Sequence, residues 1–286
     1  MTTDAAFVAP LRFPHAPSVV TVDLEEWFCV CGDDYYSDVR RWDRLETRIE
    51  GNADRVLGLL GEAGRRATFF VLGWIARRHP RLVARIAAAG HEIGFHGMTH
   101  RRCDEMSAAE LAAELSEGRA LLEDLTGKAV AGFRAPEWSI RGVSDPALEA
   151  LAAAGFRYDA SISAVPIVGR RGNPEYPVSV RTPSGTIAEF PPLTGRGWGQ
   201  TVNFGGGWAF RRLAWSRVLG EALRYRREGA PAIFTFHPWE FDPDLPPLVG
   251  SSALLRLTRD ARRRGLRRRF ERLLAAGETA TLGELV

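Results

Sequence analysis

Gly90-His91-Glu92-Ile93-Gly94-Phe95-His96-Gly97-Met98-Thr99-His100 is the stretch from which the rest of the chain can be read. Gly90 follows an alanine-rich helical pattern and fits a helix C-cap, residues 92–95 read as a short buried strand, and a polar residue stands where that strand ends. His96 and His100 have three residues between them, a spacing at which two imidazoles can converge on one metal ion when a strand gives way to a turn. Three of the chain's six histidines fall in this stretch. The pair alone suits a solvated or core-satisfied role equally well, so its meaning depends on a carboxylate, a base and an acid elsewhere.

The strand-then-polar pattern recurs. Residues 18–22, 67–72, 130–133, 156–158 and 232–236 are short apolar runs of strand character. They are separated by helical patterns at 53–64, 80–90, 107–126, 144–155 and 211–228, and a last helix lies within 253–276. Ser107 and Glu110 form a capping box. Residues 161–208 are rich in glycine and proline and read as long loops with short strands such as 187–190. Alternating strands and helices predict a parallel sheet or barrel, in which sites gather at the carboxyl ends of the strands. Asp23, His96, Arg134, Asp159 and His237 each follow a strand, so five strands would turn five polar side chains toward one another.

That set has a chemistry. Two imidazoles and one carboxylate make a common open catalytic metal site, whose fourth position takes water. Asp23 and Glu25 are two residues apart and share a side if the strand continues, so one can bind metal while the other takes a proton from water. Glu26 competes as the ligand if the strand breaks early; the ordinary alternative is a solvated acidic turn. Arg134 can hold the base carboxylate by a bidentate pair, or be a surface ion pair. His237, between Phe236 and Pro238, can act as general acid. Asp159 can hold His237 or Arg134 in place, or be a turn aspartate. Zinc suits the ligand set; cobalt, nickel or iron accept the same donors.

In these residues the chain resembles the polysaccharide deacetylase family, the NodB-homology carbohydrate esterases, over roughly residues 18–242. Thr21-Val22-Asp23 is similar to its first motif, whose leading aspartate is the catalytic base. Gly90 through His100 resembles the second, which supplies both metal histidines. Phe133-Arg134-Ala135-Pro136 resembles the third, whose arginine supports the base; Tyr158-Asp159 resembles the fourth; and Phe236-His237 resembles the fifth, whose histidine is the acid. The resemblance implies a distorted (β/α) barrel with fewer than eight complete units and metal-dependent removal of an N-acetyl group from an amino sugar. The backbone N–H of Glu137 would then face the oxyanion. Two features depart from the family pattern. Leu24 interrupts its adjacent aspartates, and the fourth motif lacks a nearby tryptophan, so Trp138 or Trp239 would form the pocket wall. The Asp-x-Glu-acidic-aromatic run and Phe204-Gly205-Gly206-Gly207-Trp208 are similar to the exosortase-associated exopolysaccharide deacetylase branch, which favours Glu25 as metal ligand.

At 286 residues, 45% hydrophobic and 26% charged, the composition is that of an ordinary globular protein, and we expect one domain across 1–286. Three cysteines (Cys29, Cys31, Cys103) suggest reduced thiols rather than a disulfide framework. Residues 1–4 lack a secretory pattern, so the expected location is cytoplasmic. A net charge of +3 does not argue for nucleic acid. Between Arg256 and Arg272 nine arginines flank an apolar stripe; docking on the barrel is the simpler reading, and contact with an acidic glycan or the inner membrane face is the other. The partner implied by the resemblance is an N-acetylated sugar or polysaccharide. The alternatives are a deformylase or amidohydrolase on a small or lipid-linked sugar amide, and a catalytically silent glycan-binding module.

Overall fold

Valines at positions 19, 20 and 22 are fully buried, as a strand with one face inside a barrel and the other under helices requires. In the computed structural model, which describes residues 8–29, 33, 35–197, 199–260 and 263–286 and leaves aside the side chains of 208, 254, 255, 257 and 258, they belong to a seven-residue strand. In chain order the strands are β1 (Val8–Pro10), β2 (Ser18–Leu24), β3 (Thr68–Val71), β4 (Glu92–Phe95), β5 (Gly132–Phe133), β6 (Tyr158–Asp159), β7 (Val178–Thr182), β8 (Gly185–Glu189), β9 (Thr194–Gly197), β10 (Gln200–Asn203), β11 (Ala232–Phe236) and β12 (Thr279–Ala280). The main sheet runs β1-β7-β8-β6-β5-β4-β3-β2-β11, with β12 also on β2 and with β9 and β10 forming a separate hairpin. From β11 through β2, β3, β4, β5 and β6 to β8 every pairing is parallel. β7 adds antiparallel to β8 and β1 to β7.

The sheet closes through irregular chain. Leu193 N–H donates to the Ile233 carbonyl at 3.0 Å, Gly205 N–H to Leu193 at 3.0 Å, and Thr235 N–H to Gly205 at 2.9 Å. This explains the glycine run: a Cβ at Gly205 or Gly206 would collide with the carbonyl oxygens of Ile233 or Thr235 on β11. The result is the distorted barrel with fewer than eight complete (β/α) units that the family resemblance implied.

Helices cover the outside: α1 (Val39–Trp42), α2 (Ile49–Glu62), α3 (Gly73–Arg78), α4 (Pro80–Ala88), α5 (Ala108–Thr126), α6 (Ala147–Ala153), α7 (Gly207–Arg212), α8 (Trp215–Arg227), α9 (Ala253–Asp260) and α10 (Leu266–Ala275). α5 carries the expected capping box and ends at Gly127 in the left-handed region. Two expectations are corrected. The helix expected over 211–228 is α7 and α8, because Leu213 and Ala214 are extended. The single C-terminal helix is α9 and α10, separated by a short 3-10 turn at Arg263–Gly265. The apolar face of α10 is turned inward: Leu266, Phe270, Leu273 and Leu274 are buried, and the Phe270 ring meets Phe236 at 4.9 Å and Phe241 at 5.1 Å. That face therefore packs on the barrel and is not available to a membrane. Among the described residues no helix is long and apolar enough to cross one.

Candidate metal centre and catalytic cleft

Register brings the site together. Leu24, Val71, Phe95 and Phe133 stand level across β2, β3, β4 and β5. Glu25, His96 and Arg134 come one residue later, so they emerge from one rim. The site lies at the carboxyl ends of the parallel strands, where the backbone leaves the sheet.

Glu25, His96 and His100 are all buried, and one ligand atom from each lies within 4.8 Å of the others. Glu25 Oε2 is 2.9 Å from His100 Nε2 and 3.5 Å from His96 Nε2. Donors about 2.0–2.2 Å from a tetrahedral ion stand about 3.4 Å apart, so the spacing suits one. Oε2 is buried yet makes no properly angled hydrogen bond, which is an orphaned atom aimed where an ion would sit. His96 Nδ1 lies 2.8 Å from the Arg134 carbonyl. Donation there fixes the tautomer and leaves Nε2 free for a metal. Burial pushes the Glu25 carboxyl up, but the neighbouring imidazoles of His100, His96 and His237 outweigh it and hold the group well below the ordinary value. Glu26, the competing ligand, points elsewhere. Its Oε1 accepts from Thr47 Oγ1 at 2.5 Å, Arg48 N–H at 2.8 Å and Ile49 N–H at 3.0 Å, capping α2.

Asp23 sits beside this cluster. Arg134 Nη1 donates to Asp23 Oδ1 and to Thr21 Oγ1, both at 2.8 Å, while its Nε donates to the Ala160 carbonyl at 3.0 Å. The guanidinium lies over the Phe70 ring at 4.3 Å and is 1% exposed. This is the arginine-to-base contact expected, by one nitrogen rather than two. Across the cleft His237 Nε2 stands 3.8 Å from Asp23 Oδ2 and 3.7 Å from Glu25 Oε1.

The partner that orients His237 is Glu240, which the sequence reading missed. His237 Nδ1 lies 2.9 Å from Glu240 Oε1, and Glu240 Oε2 accepts from Arg211 Nη1 at 3.1 Å. Burial pulls the imidazole down, but the hydrogen bond to Glu240 and the charges of Glu25, Glu240 and Asp23 overcome it and lift His237 to about 9. Glu240 is pushed up by burial and brought below its ordinary value by His237 and Arg211. The signal lay in the sequence as His-x-x-Glu, spanning one turn after the strand. Asp159, the expected holder, does something else. It is level with Glu189 on the next strand and accepts from Ser161 Oγ at 2.5 Å, without bonding His237 or Arg134. Burial raises both Asp159 and Glu189, and the neighbouring Asp159 raises Glu189 further.

The groups line a cleft of about 310 Å³, with Glu137, Trp138, Trp239, Val168 and Cys29 among its walls. Trp239 stacks on His237 with centroids 5.0 Å apart, and its Nε1 donates a long 3.4 Å bond to Glu25 Oε1. Trp138 faces the Arg134 guanidinium at 5.3 Å. Three non-glycine residues among those described have positive φ: His100 at 58°, Glu137 at 55° and Trp138 at 54°. All three border this cleft. Strained backbone collected at one place marks a built site. A larger cavity of about 700 Å³ also borders Glu240 but is lined by none of Glu25, His96 and His100. Cys103 is buried away from the cluster, its thiol pushed far up by burial; Cys31 and Trp198 lie outside the described residues, as does the side chain of Trp208.

Residues 33–158 match the polysaccharide deacetylase family model, and residues 160–286 match a domain of unknown function, DUF3473. The boundary falls inside β6, so the two matches divide one sheet. A peptidoglycan deacetylase of Helicobacter pylori is 34% identical over 108 residues, 38% of this chain and 36% of that protein. A Shewanella sediminis protein assigned as a 4-deoxy-4-formamido-L-arabinose-phosphoundecaprenol deformylase is 33% identical over 121 residues, 38% and 36% of the two chains. This chain thus spans about a third of the length of such relatives. A crystal structure from Mycobacterium smegmatis assigned to the polysaccharide deacetylases superposes with a TM-score of 0.64 at 21% identity, covering 97% of this chain and 92% of that one.

Proposed function

We propose, on the match of residues 33–158 to the polysaccharide deacetylase family model, that the chain is a metal-dependent hydrolase removing N-acetyl groups from an amino sugar in a polysaccharide or glycan precursor. The observation that carries the reading is the convergence of Glu25, His96 and His100 beside an arginine-held aspartate and a carboxylate-held histidine in one cleft. Neither a silent binding module nor a packing role needs a base and an acid on opposite sides of a ligand cluster.

Glu25 Oε, His96 Nε2 and His100 Nε2 would hold the ion, zinc by preference of the donor set. A bound divalent ion there would polarise the amide oxygen and make water easier to deprotonate. Asp23, positioned by Arg134, which Thr21 also holds, takes the proton from the attacking water. His237 delivers a proton to the nitrogen as the carbon–nitrogen bond breaks, so the sugar leaves as an amine and acetate remains. Glu240 keeps the imidazole charged and pointed at the cleft, and Arg211 fixes Glu240. Trp138 and Trp239 shape the wall that receives the acyl group. The acid and its support come from the 160–286 segment and the base and one ligand from residues 23–25, so the site is drawn from beyond the 33–158 match.

The second reading, a deformylase, is favoured by the likeness to the Shewanella sediminis protein. Acetate and formate release from matched N-acetyl and N-formyl amino sugars separates the two. His237→Ala should lose about 10²- to 10⁴-fold in rate, the usual worth of a general acid. Rates unchanged in both His96→Ala and His237→Ala would overturn the assignment.

A further inference from the structure

Behind the acid histidine lies a group of cations that the hydrolysis does not use. Arg211 and Arg259 line the catalytic cleft and have side chains only 2% and 4% exposed. Arg263, 15% exposed, lines the larger cavity on the other side of Glu240. Burial holds Arg263 below the ordinary arginine value; Asp260 and Asp242 oppose that, and repulsion from Arg259 and Arg211 adds to it. Guanidinium groups do not escape such repulsion by losing a proton.

The carboxylates nearby are shared among these charges. Arg259 and Arg263 share one, Asp260, at 2.8 and 3.5 Å. Arg211 shares Glu240 with His237. Asp242 is taken by Arg48 at 2.6 Å. Arg259 donates to both Asp260 oxygens and from Nη2 to the Pro246 carbonyl, and Arg263 Nη1 to the Asp242 carbonyl, which leaves the buried Arg259 Nη1 without a hydrogen-bond partner among the described residues. Buried charged donors left unpaired are costly unless a ligand satisfies them.

We propose that Arg211 and Arg259, backed by Arg263, form an oxyanion subsite on the cleft wall that takes a carboxylate or phosphate carried by the substrate. The substrate class is then an acidic N-acetylated sugar or sugar phosphate rather than a neutral glycan. This identity of the ligand rests on the hydrolase reading; the anion site itself does not. The subsite adjoins the His237–Glu240 pair, so an anion seated there anchors the sugar while its acetamido group faces Glu25, His96 and His100. Planar guanidinium forks suit both carboxylate and phosphate oxygens.

The test is calorimetric titration of chelator-treated protein, so that no metal binds the anion, with inorganic phosphate, glucuronate and, as neutral control, glucose. Wild type is expected to bind at least one of the anions and not glucose, and Arg259→Gln to bind it about tenfold or more weakly. Phosphate alone points to a sugar phosphate, and glucuronate to an acidic glycan. A parallel arm compares kcat/KM for acidic and neutral N-acetylated sugars, where the preference for the acidic one should fall toward one in Arg259→Gln. Absence of anion binding by wild type, or binding undiminished in folded Arg259→Gln and Arg263→Gln, overturns the subsite. Anion binding without hydrolysis of any sugar overturns the hydrolase reading and leaves the subsite standing.

Discussion

Glu240 is the residue whose removal the structure prices best. Glu240→Gln keeps the size and one acceptor but deletes the charge between His237 and Arg211, both within 3.1 Å of it. Lifting an imidazole from 6.5 to about 9 corresponds to about 3 kcal/mol of preference for the charged form. Glu240 contributes to that preference through both its hydrogen bond and its charge, alongside the charges of Glu25 and Asp23. The sign follows from the direction of each shift. His237 is raised, so its contribution is full below 6.5 and is lost as pH climbs through about 9. Glu240 is lowered, so its contribution is present above 4.5 and is lost only as pH falls through its depressed value. Both are intact at pH 6. The stability gap between wild type and Glu240→Gln should therefore be largest near pH 6 and narrow by on the order of 1 kcal/mol by pH 10, where only the Arg211 pairing remains. Urea unfolding of metal-free protein at the two pH values measures it, with chelator present so that no ion competes for Glu25. A gap of equal size at both would refute the claim that Glu240 holds a charged His237.

Three further outcomes follow from the packing. Glu25→Ala should lose bound metal by elemental analysis, whereas Glu26→Ala should keep it and lose about 1–2 kcal/mol of stability with its cap on α2, read as a lower melting temperature. Trp239→Phe deletes the indole N–H to Glu25 Oε1, and metal competition titration should show about tenfold weaker binding, with little change if the ring serves only to stack on sugar. Gly118→Ala would drive a methyl group into the Phe95 ring, one residue before His96; about 1–3 kcal/mol of destabilisation is expected in chemical denaturation.

The parts of the fold written in local pattern were legible. Residues 92–95 and 232–236 are strands with the bounds read from the sequence, and each is followed by a site histidine. The side chains that line the cleft were legible because strand ends are visible as apolar runs meeting a polar residue. What was missed depends on distant partners. α3 has no side-chain cap, because its first N–H groups, those of Gly73 and Trp74, donate to the carbonyls of Gly97 and Met98. Glu26 caps a helix that begins 23 residues later, so nothing local separated it from Glu25. The break at Leu213 and Ala214 contains neither glycine nor proline. Asp159 looked like a histidine holder by position, and only the register of β6 with β8 reveals Glu189 beside it.

The most direct test of the central claim is back-titration of metal-free protein with zinc while acetate release from an N-acetylated glycan is followed. The account predicts no activity without metal, recovery in proportion to metal bound, and a plateau at about one ion per chain, as a single Glu25–His96–His100 centre requires. Full acetate release by protein shown to be metal-free would contradict it.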